Sequence, residues 1–272
     1  MNRDDSLKLC LQDPMLFKRC VLDTLDPITV GEDNARKVIF LTGMGSLVEN
    51  ANMSSFNLLV NSKSGAGKDH TVSAVMKLFP KEVVQKRTRI SPTTLTYWHN
   101  SKSEPSWTWN GKILYLEDVS NSILNDGVFK VFCSGGSKAT IVKDQRAVDI
   151  EIKGKPTIII TSASADPEPE LVRRFLVINL TETKEQTKEI MDKWADTAVI
   201  GEVKEMGTDY SEALKLLKSY KVKIPFARAL SKYFPDKHII SRTMFPRFLD
   251  YIKASTVFHQ FARVKDSDEF LV

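Results

Sequence analysis

The stretch FNLLVNSKSGAGKD, residues 56–69, decides how the middle of this sequence folds. It opens with an apolar run typical of a buried strand, and a helix is predicted from about residue 69 to 79. Between them, Gly65 and Gly67 allow backbone N–H groups to turn inward, and Lys68 falls at the N-terminus of the helix. Because N–H groups gathered before a helix bind anions, this segment predicts a site for phosphate groups.

The turn departs at two positions from the phosphate-loop pattern G-x-x-x-x-G-K-[ST]. Ser62 stands where the first glycine is expected, and Asp69 replaces the hydroxyl residue that binds Mg²⁺. We expect Lys68 to meet the β- and γ-phosphates, and Asp69 to bind the metal directly or through water. The residues predicted to contact the nucleotide are Ser62, Ser64, Gly65, Ala66, Gly67, Lys68, Asp69 and His70. A tight strand-to-helix turn without a ligand remains the alternative.

The composition is that of a globular protein. The 272 residues are 42% hydrophobic and 27% charged, which excludes a disordered tail, a collagen-like fibre and a disulfide-stapled mini-protein. A net charge of +5 permits a polyanionic partner without requiring one. Cys10, Cys20 and Cys133 are too far apart for a zinc knuckle or a CxxC pair, and no stretch resembles a signal peptide or a membrane span. We therefore expect a cytoplasmic protein, in the host cytoplasm if it is viral.

The pattern of elements divides the chain into three parts. Residues 1–50 are predicted as a helical N-terminal collar, residues 51–181 as a P-loop core and residues 182–272 as a C-terminal helical lid. Strands that alternate with helices in the core predict a mostly parallel sheet covered on both faces. The further elements predicted are strands at 83–90, 112–119, 156–162 and 175–180, a hairpin of 138–142 and 147–152, and helices at 122–133, 182–197, 208–219, 225–233 and 242–263.

Two acids close an apolar strand of the core. Residues 113–116 read ILYL and lead into Glu117 and Asp118, an arrangement in which one carboxylate holds Mg²⁺ and the other polarises the attacking water. We assign Glu117 to the metal and Asp118 to the water. The commoner order is Asp then Glu, so the two roles stay open, as does a solvated strand end without function. Thr161, at the end of the strand 157–160, is predicted to reach the γ-phosphate and orient the water, and an ordinary polar strand end remains the alternative.

A pair of arginines follows that polar strand end. Arg173 and Arg174 are placed to reach a nucleotide bound to a neighbouring subunit, and the planar guanidinium suits this role. We favour Arg174 narrowly, and an ordinary surface pair remains the alternative. Arg242 and Arg247 begin the last predicted helix, where we expect them at the surface rather than at the nucleotide.

The order of these parts resembles the AAA+ ATPases, in particular the branch that contains superfamily-three viral helicases and minichromosome-maintenance motors. In that branch a hairpin between the acid strand and the next core strand lines the pore of a ring and grips DNA. The resemblance implies that Lys138, Lys143 and Arg146 of the predicted hairpin contact nucleic acid, although an isolated basic hairpin is usually a solvated turn. RISPTTLTYW, ELVRRF and the tail from IPFARALSKYFP are similar to ATPase modules of replication proteins from phages and integrative elements.

The resemblance implies an α/β P-loop NTPase (AAA+-like) fold and an ATP-hydrolysing ring motor that acts on DNA, a replicative helicase of a mobile element or virus. Its implied cofactors are ATP and Mg²⁺. Its implied partners are single-stranded or forked DNA, further copies of the chain in a hexamer, and a primase or other replication proteins, with no membrane. The Ser62 and Asp69 departures favour an alternative, a nucleotide-gated loader or scaffold ATPase with little or no unwinding. A small-molecule kinase is a third possibility.

Overall fold

The structure, a computed structural model, describes residues 2–91, 94–95, 98, 107–135, 138–143, 146–151, 153–163, 169–201, 206–207, 209–267 and 270–272. Its centre is a parallel sheet of five strands in the order β2-β3-β6-β1-β7. These strands are β1 (Asn57–Asn61), β2 (Val84–Arg87), β3 (Ile113–Leu116), β6 (Thr157–Ser162) and β7 (Leu176–Asn179). The mostly parallel sheet predicted from the sequence is confirmed.

Two smaller strand pairs accompany this sheet. β4 (Lys138–Lys143) and β5 (Arg146–Glu151) form the predicted antiparallel hairpin, in which Lys143 pairs with Arg146. β8 (Lys221–Val222) and β9 (Phe270–Leu271) form a short parallel pair that the sequence did not predict.

Helices surround the sheet and continue at both ends of the chain. They are α1 (Arg3–Leu11), α2 (Asp33–Met44), α3 (Lys68–Met76), α4 (Asn121–Leu124), α5 (Gly127–Gly135), α6 (Pro169–Arg174), α7 (Lys184–Ile200), α8 (Asp209–Leu214), α9 (Ala227–Tyr233) and α10 (Ser241–Phe258), with a π-helix at Lys18–Asp23 and a 3₁₀ turn at Gly45–Leu47. The helix predicted over 122–133 is divided into α4 and α5. Asp126 causes the division, because its carboxylate accepts hydrogen bonds from the backbone N–H groups of Val128 and Phe129 and so begins a new helix.

Both faces of the sheet are buried, because alternate residues of its strands enter different hydrophobic clusters. In β3, Ile113 and Tyr115 join one cluster, whereas Leu114 and Leu116 join the other. A strand buried on both faces has no polar side, which explains why the core strands are continuous apolar runs in the sequence.

The helical segments at both ends of the chain share the first of these clusters. It contains Phe40 of α2, Val60 of β1, Phe258 of α10 and Leu271 of β9. The ring centroids of Phe40 and Phe258 are 4.8 Å apart. The sheet and the terminal helices are therefore stabilised by common packing, while the division at residues 50 and 181 stays a prediction.

The three cysteines are free, as expected from their spacing. Cys20 and Cys133 are buried, and burial raises the pKa of the Cys133 thiol to about 12. In the described part of the chain, no helix is both long and apolar enough to cross a membrane. Trp109 is fully buried and packs against Trp107 and Trp98 at centroid distances of 4.8 Å and 5.0 Å.

Candidate functional site

The strand order brings the predicted polar residues to one edge of the sheet. β6 lies between β1 and β3, and all three strands are parallel, so their carboxyl ends meet at the same edge. The phosphate-loop segment follows β1, and the acid pair follows β3. Thr161 is the second-last residue of β6. We call this the loop edge, and the opposite edge, where the strands begin, the amino edge.

The loop itself has the backbone that a phosphate site requires. Gly65 and Gly67 have φ angles of 89° and 81°, in the left-handed region that favours glycine. A Cβ atom built on either glycine would have nothing within 4 Å, so the space beside both residues is open. The loop therefore fits an anion between its backbone and the start of α3.

Lys68 lies at the first position of α3 and is buried, with 6% of its surface exposed. Its Nζ is 3.9 Å from Oδ2 of Asp69 and 3.9 Å from Oδ1 of Asp118. Both distances are longer than a hydrogen bond. The ammonium group thus lies beside two carboxylates without closing on either, and it fits a phosphate oxygen as a partner.

One buried hydroxyl joins the loop, the acid strand and the neighbouring strand. The Thr161 side chain is fully buried, and its Oγ1 donates to Oδ1 of Asp69. The same oxygen accepts the backbone N–H of Asp118 at 2.9 Å. Asp118 has a positive φ of 46°, which is uncommon outside glycine. The proton of Thr161 is directed at Asp69, and its predicted contact with the γ-phosphate stays a prediction.

Glu117 forms an ion pair and hydrogen bonds with side chains that were not predicted from the sequence. Its Oε1 lies 2.6 Å from Nζ of Lys86 and accepts the hydroxyls of Tyr115 and Ser73, both at 3.3 Å. Burial raises the pKa of Tyr115, and the charge of Glu117 adds to that shift. Lys86 pairs with Tyr115 in the register of β2 and β3, and Ser73 lies one helical turn after Asp69.

The two acids therefore have different surroundings. Asp118 has a side chain 71% exposed and lies beside Lys68, whereas the Glu117 side chain is 17% exposed and ion-paired with Lys86. The geometry favours Asp118 over Glu117 as the acid nearer to a phosphate bound by Lys68.

A Mg²⁺ ion fits this edge only together with a nucleotide. No group of three or more potential metal ligands occurs among the described residues. Mg²⁺ is commonly held by one or two carboxylates together with phosphate oxygens and water, and Asp69 and Asp118 meet that need. The metal site predicted for Asp69 and Glu117 stays a prediction.

Polar atoms without a partner occur where β1 meets the loop. Oδ1 of Asn61 and Oγ of Ser62 are buried and have no hydrogen-bond partner among the described residues, and such atoms normally cost about 1–3 kcal/mol each. A ligand at the loop could satisfy them. Ser64 is exposed, and Nε2 of His70 donates to the carbonyl oxygen of Ile28 at 2.8 Å, which occupies that ring nitrogen with the N-terminal segment.

The two arginines of α6 differ in whether their side chains are hydrogen-bonded within the chain or exposed. Arg174 donates to the carbonyl oxygen of Lys130 at 3.0 Å, to Oγ of Ser134 and to Oε1 of Glu170 at 3.0 Å, all within its own chain. The hydrogen bonds that Glu170 accepts from Lys130 and from Arg174 keep the pKa of Glu170 below its ordinary value. Arg173 has an exposed side chain. The geometry therefore favours Arg173, not Arg174, as the arginine able to reach another subunit.

Arg247 is buried, so the expectation that it lies at the surface is wrong. Only 3% of its surface is exposed, and its Nη2 donates to the carbonyl oxygen of Arg173 at 3.1 Å. Burial lowers the pKa of its guanidinium. The contact between Arg247 and Arg173 was not expected, because α6 was not predicted as a helix.

The hairpin lies in the predicted interval between β3 and β6. Lys138 begins β4, Lys143 ends it, and Arg146 begins β5 with an exposed side chain. Residues 144 and 145, the predicted tip, lie outside the described residues.

A cavity of about 400 Å³ opens at the amino edge, away from the predicted site. Asn110, Lys155 and Thr157 contribute to its lining, together with residues of the segment before β1. Lys155 donates through Nζ to Oδ1 of Asn57 at 2.8 Å and to the carbonyl oxygen of Pro156 at 3.1 Å. Because none of the residues predicted to act on a nucleotide lines this cavity, its volume alone does not make it the functional site.

Comparison with known families agrees with this architecture. Residues 5–219 match the family described as the MTBMA_p00010 P-loop domain. The match spans 215 of the 272 residues (219 − 5 + 1), so the chain belongs to that family and is a P-loop NTPase. No curated protein matches the chain.

Proposed function

We propose that this P-loop protein hydrolyses ATP with Mg²⁺ at the interfaces of a homo-oligomeric ring, expected to be a hexamer, and so moves along DNA as a replicative helicase of a mobile element or virus. One observation carries the proposal. At the loop edge, the buried ammonium group of Lys68 faces Asp69 and Asp118 at 3.9 Å beside two glycines with open space.

In the proposed reaction, Lys68 binds β- and γ-phosphate oxygens from the start of α3, where the backbone N–H groups also favour negative charge. Mg²⁺, when bound, neutralises charge on these oxygens. Asp118 orients the attacking water, since its carboxylate is exposed and lies beside Lys68. For Glu117 to hold the metal, its ion pair with Lys86 must open.

Thr161 connects this chemistry to the sheet. Its hydroxyl donates to Asp69 and accepts the N–H of Asp118, so a displacement of either carboxylate changes both contacts. We propose that this link transmits the state of the γ-phosphate to β6 and β3.

Basic residues are proposed to contact both the neighbouring subunit and the DNA. Arg173 is proposed to complete the site of the neighbouring subunit, because its side chain is exposed while Arg174 is bound within its own chain. Lys138, Lys143 and Arg146 are proposed to contact the DNA phosphates. A primase or other replication proteins would be its partners.

A second candidate is a nucleotide-gated loader or scaffold that hydrolyses ATP slowly and unwinds nothing. It is favoured by Asp69, which replaces the usual hydroxyl residue of the loop and is engaged by Thr161. The two candidates differ in whether nucleic acid accelerates hydrolysis.

The test is phosphate release with Mg²⁺ and ATP, measured with and without single-stranded DNA. A motor is stimulated by the DNA, whereas a loader or scaffold is not. R173A should lower hydrolysis roughly 10³-fold or more, as loss of an arginine finger does, and R174A should lower it much less. Mixing R173A with K68A should restore part of the activity, because some interfaces then combine an intact Lys68 with an intact Arg173. No restoration would contradict shared sites.

A further inference from the structure

We propose that residues 223–242, at the start of the C-terminal helices, form a surface that binds single-stranded nucleic acid by phosphate contacts and base stacking. We call it the lid surface. It extends the proposed function, which assigns nucleic acid only to the hairpin, and it requires no nucleotide.

The net charge of the chain is concentrated in this segment. It contains Lys223, Arg228, Lys232, Lys237 and Arg242 against a single acid, Asp236, so its net charge is +4 (5 − 1). The whole chain has a net charge of +5 (39 − 34), which leaves +1 for all other residues together. A positive potential is therefore expected over this segment.

Most of this charge is free to meet a polyanion. Arg228, Lys232, Lys237 and Arg242 are all exposed, and within the described part of the chain none of them has an ion pair. Lys223 is the exception, since it pairs with Asp266. Cations without a partner exchange only water and counterions when they bind phosphate, so the contacts are favourable and depend on salt.

Exposed aromatic rings lie among these cations. Tyr233 is 88% exposed and Phe226 is 54% exposed, although burying such rings is normally favourable. Surfaces that combine cations with accessible aromatic rings bind single strands, because each base offers a face for stacking. A duplex keeps its bases stacked inside and offers no such face, so the rings favour a single strand.

The cations lie on connected elements. Arg228 and Lys232 are four residues apart in α9 and share one face of that helix. Phe234, which follows α9, packs against Phe245 and Phe248 of α10 at centroid distances of 5.0 Å and 5.7 Å. This packing ties α9 to the first turns of α10, where Arg242 is located.

The experiment measures fluorescence anisotropy of a labelled 20-nucleotide oligo(dT) without nucleotide, at several salt concentrations. R228A/K232A is compared with K184A/K188A, a control pair of exposed lysines at the same spacing in α7. The first pair should weaken binding at least tenfold and reduce the slope of log K against log salt by about 1.4, or about 0.7 per lost phosphate contact. The control pair should leave both quantities unchanged.

A second comparison tests stacking. Y233A should weaken binding roughly 5- to 100-fold, while Y233F, which keeps the ring, should bind like the wild type. All five substituted positions are exposed, so the substitutions should have little effect on unfolding midpoints, which are measured in parallel.

The proposal is overturned if the wild type does not bind the oligonucleotide, if R228A/K232A and its control lose affinity equally, or if Y233A binds like the wild type. Polyglutamate that displaces the oligonucleotide equally well would also overturn it, by showing a general polyanion surface. These outcomes are separate from the proposed function, which fails if DNA does not stimulate ATP hydrolysis even though the lid surface binds it.

Discussion

The two edges of the central sheet treat polar groups in opposite ways. At the amino edge, the fully buried Asn57 uses its amide completely, since it accepts from Lys155 and donates to the carbonyl oxygens of Cys133 and Arg174. At the loop edge, within the part of the chain that the structure describes, Oγ of Ser62 is buried without a partner and Nζ of Lys68 has no carboxylate closer than 3.9 Å.

Asp250 extends the contrast on the amino side. It is fully buried in α10, and its Oδ2 accepts from the backbone and the amide of Asn52 and from Oγ of Ser55. Its Oδ1 makes no hydrogen bond of acceptable geometry within the described residues but lies in an ion pair, 2.8 Å from Nζ of Lys253. Paired groups hold the C-terminal helix against the segment before β1, whereas incompletely paired groups at the loop edge are available to a ligand. Substitutions at the loop edge should therefore cost activity, and substitutions at the amino edge should cost stability.

The largest expected effect is on hydrolysis. K68A should lower the rate of phosphate release by roughly 10²- to 10³-fold, because the lost ammonium group stabilises charge on the transferring phosphate. Its free energy of unfolding should change by less than about 1 kcal/mol, since Lys68 makes no short ion pair. K63A is the matched control, because the Lys63 side chain is 86% exposed in the same loop. Equal losses in both variants would break the contrast.

D250A should show the reverse behaviour. Removing this buried carboxylate leaves its donors unpaired, so the free energy of unfolding in urea should fall by about 3 kcal/mol or more. Below the denaturation range, the folded variant should bind nucleotide with unchanged affinity. D192N, at an exposed position of α7, should be neutral in both measurements. A D250A protein of wild-type stability would show that the amino edge contributes nothing to folding.

T161V tests the link between loop and strands. Valine keeps the size of threonine but removes the hydroxyl that contacts Asp69 and Asp118. We expect hydrolysis to fall about tenfold and the free energy of unfolding to fall by about 1–2 kcal/mol, because the N–H of Asp118 loses its partner. T161S should restore most of both values. If the serine variant behaves like the valine variant, the hydroxyl is not the group that matters.

The last effect concerns pH and the amino edge. Burial lowers the pKa of Lys155 from 10.5 to about 8, so between these values the unfolded chain binds more protons than the folded one. The stability of the wild type should therefore rise with pH in this window, relative to K155M, by at most about 3 kcal/mol. Urea unfolding of both proteins at pH 7.5 and pH 10 measures the difference. A difference that is constant or falls with pH would contradict a lowered pKa of Lys155 in the folded protein.

The sequence predicted the sheet and the loop because both depend on local patterns. The apolar runs of β1, β3 and β6 indicate strands buried on both faces, and Gly65, Gly67 and Lys68 indicate the loop by their spacing. These features need no knowledge of which strands are neighbours.

The contacts that the sequence did not predict depend on which strands and helices lie next to each other. Lys86 reaches Glu117 only because β2 pairs with β3 in a particular register, and Thr161 reaches Asp69 only because β6 lies beside β1. Arg174 was favoured as the arginine that reaches a neighbouring subunit because the helix α6 was not predicted. In the structure α6 directs the Arg174 side chain onto α5. Register and strand order are non-local, so single-sequence patterns do not contain them.

The central claim is that nucleotide binds at the loop edge and not in the cavity at the amino edge. It is tested most directly by thermal unfolding of the wild type, K68A and K155M with and without Mg²⁺ and a non-hydrolysable ATP analogue. A ligand at 100 times its dissociation constant stabilises a protein by about 2.7 kcal/mol. If nucleotide binds at the loop edge, the analogue raises the unfolding midpoints of the wild type and K155M but not that of K68A. A shift that persists in K68A and disappears in K155M would contradict it and place the nucleotide at the amino edge.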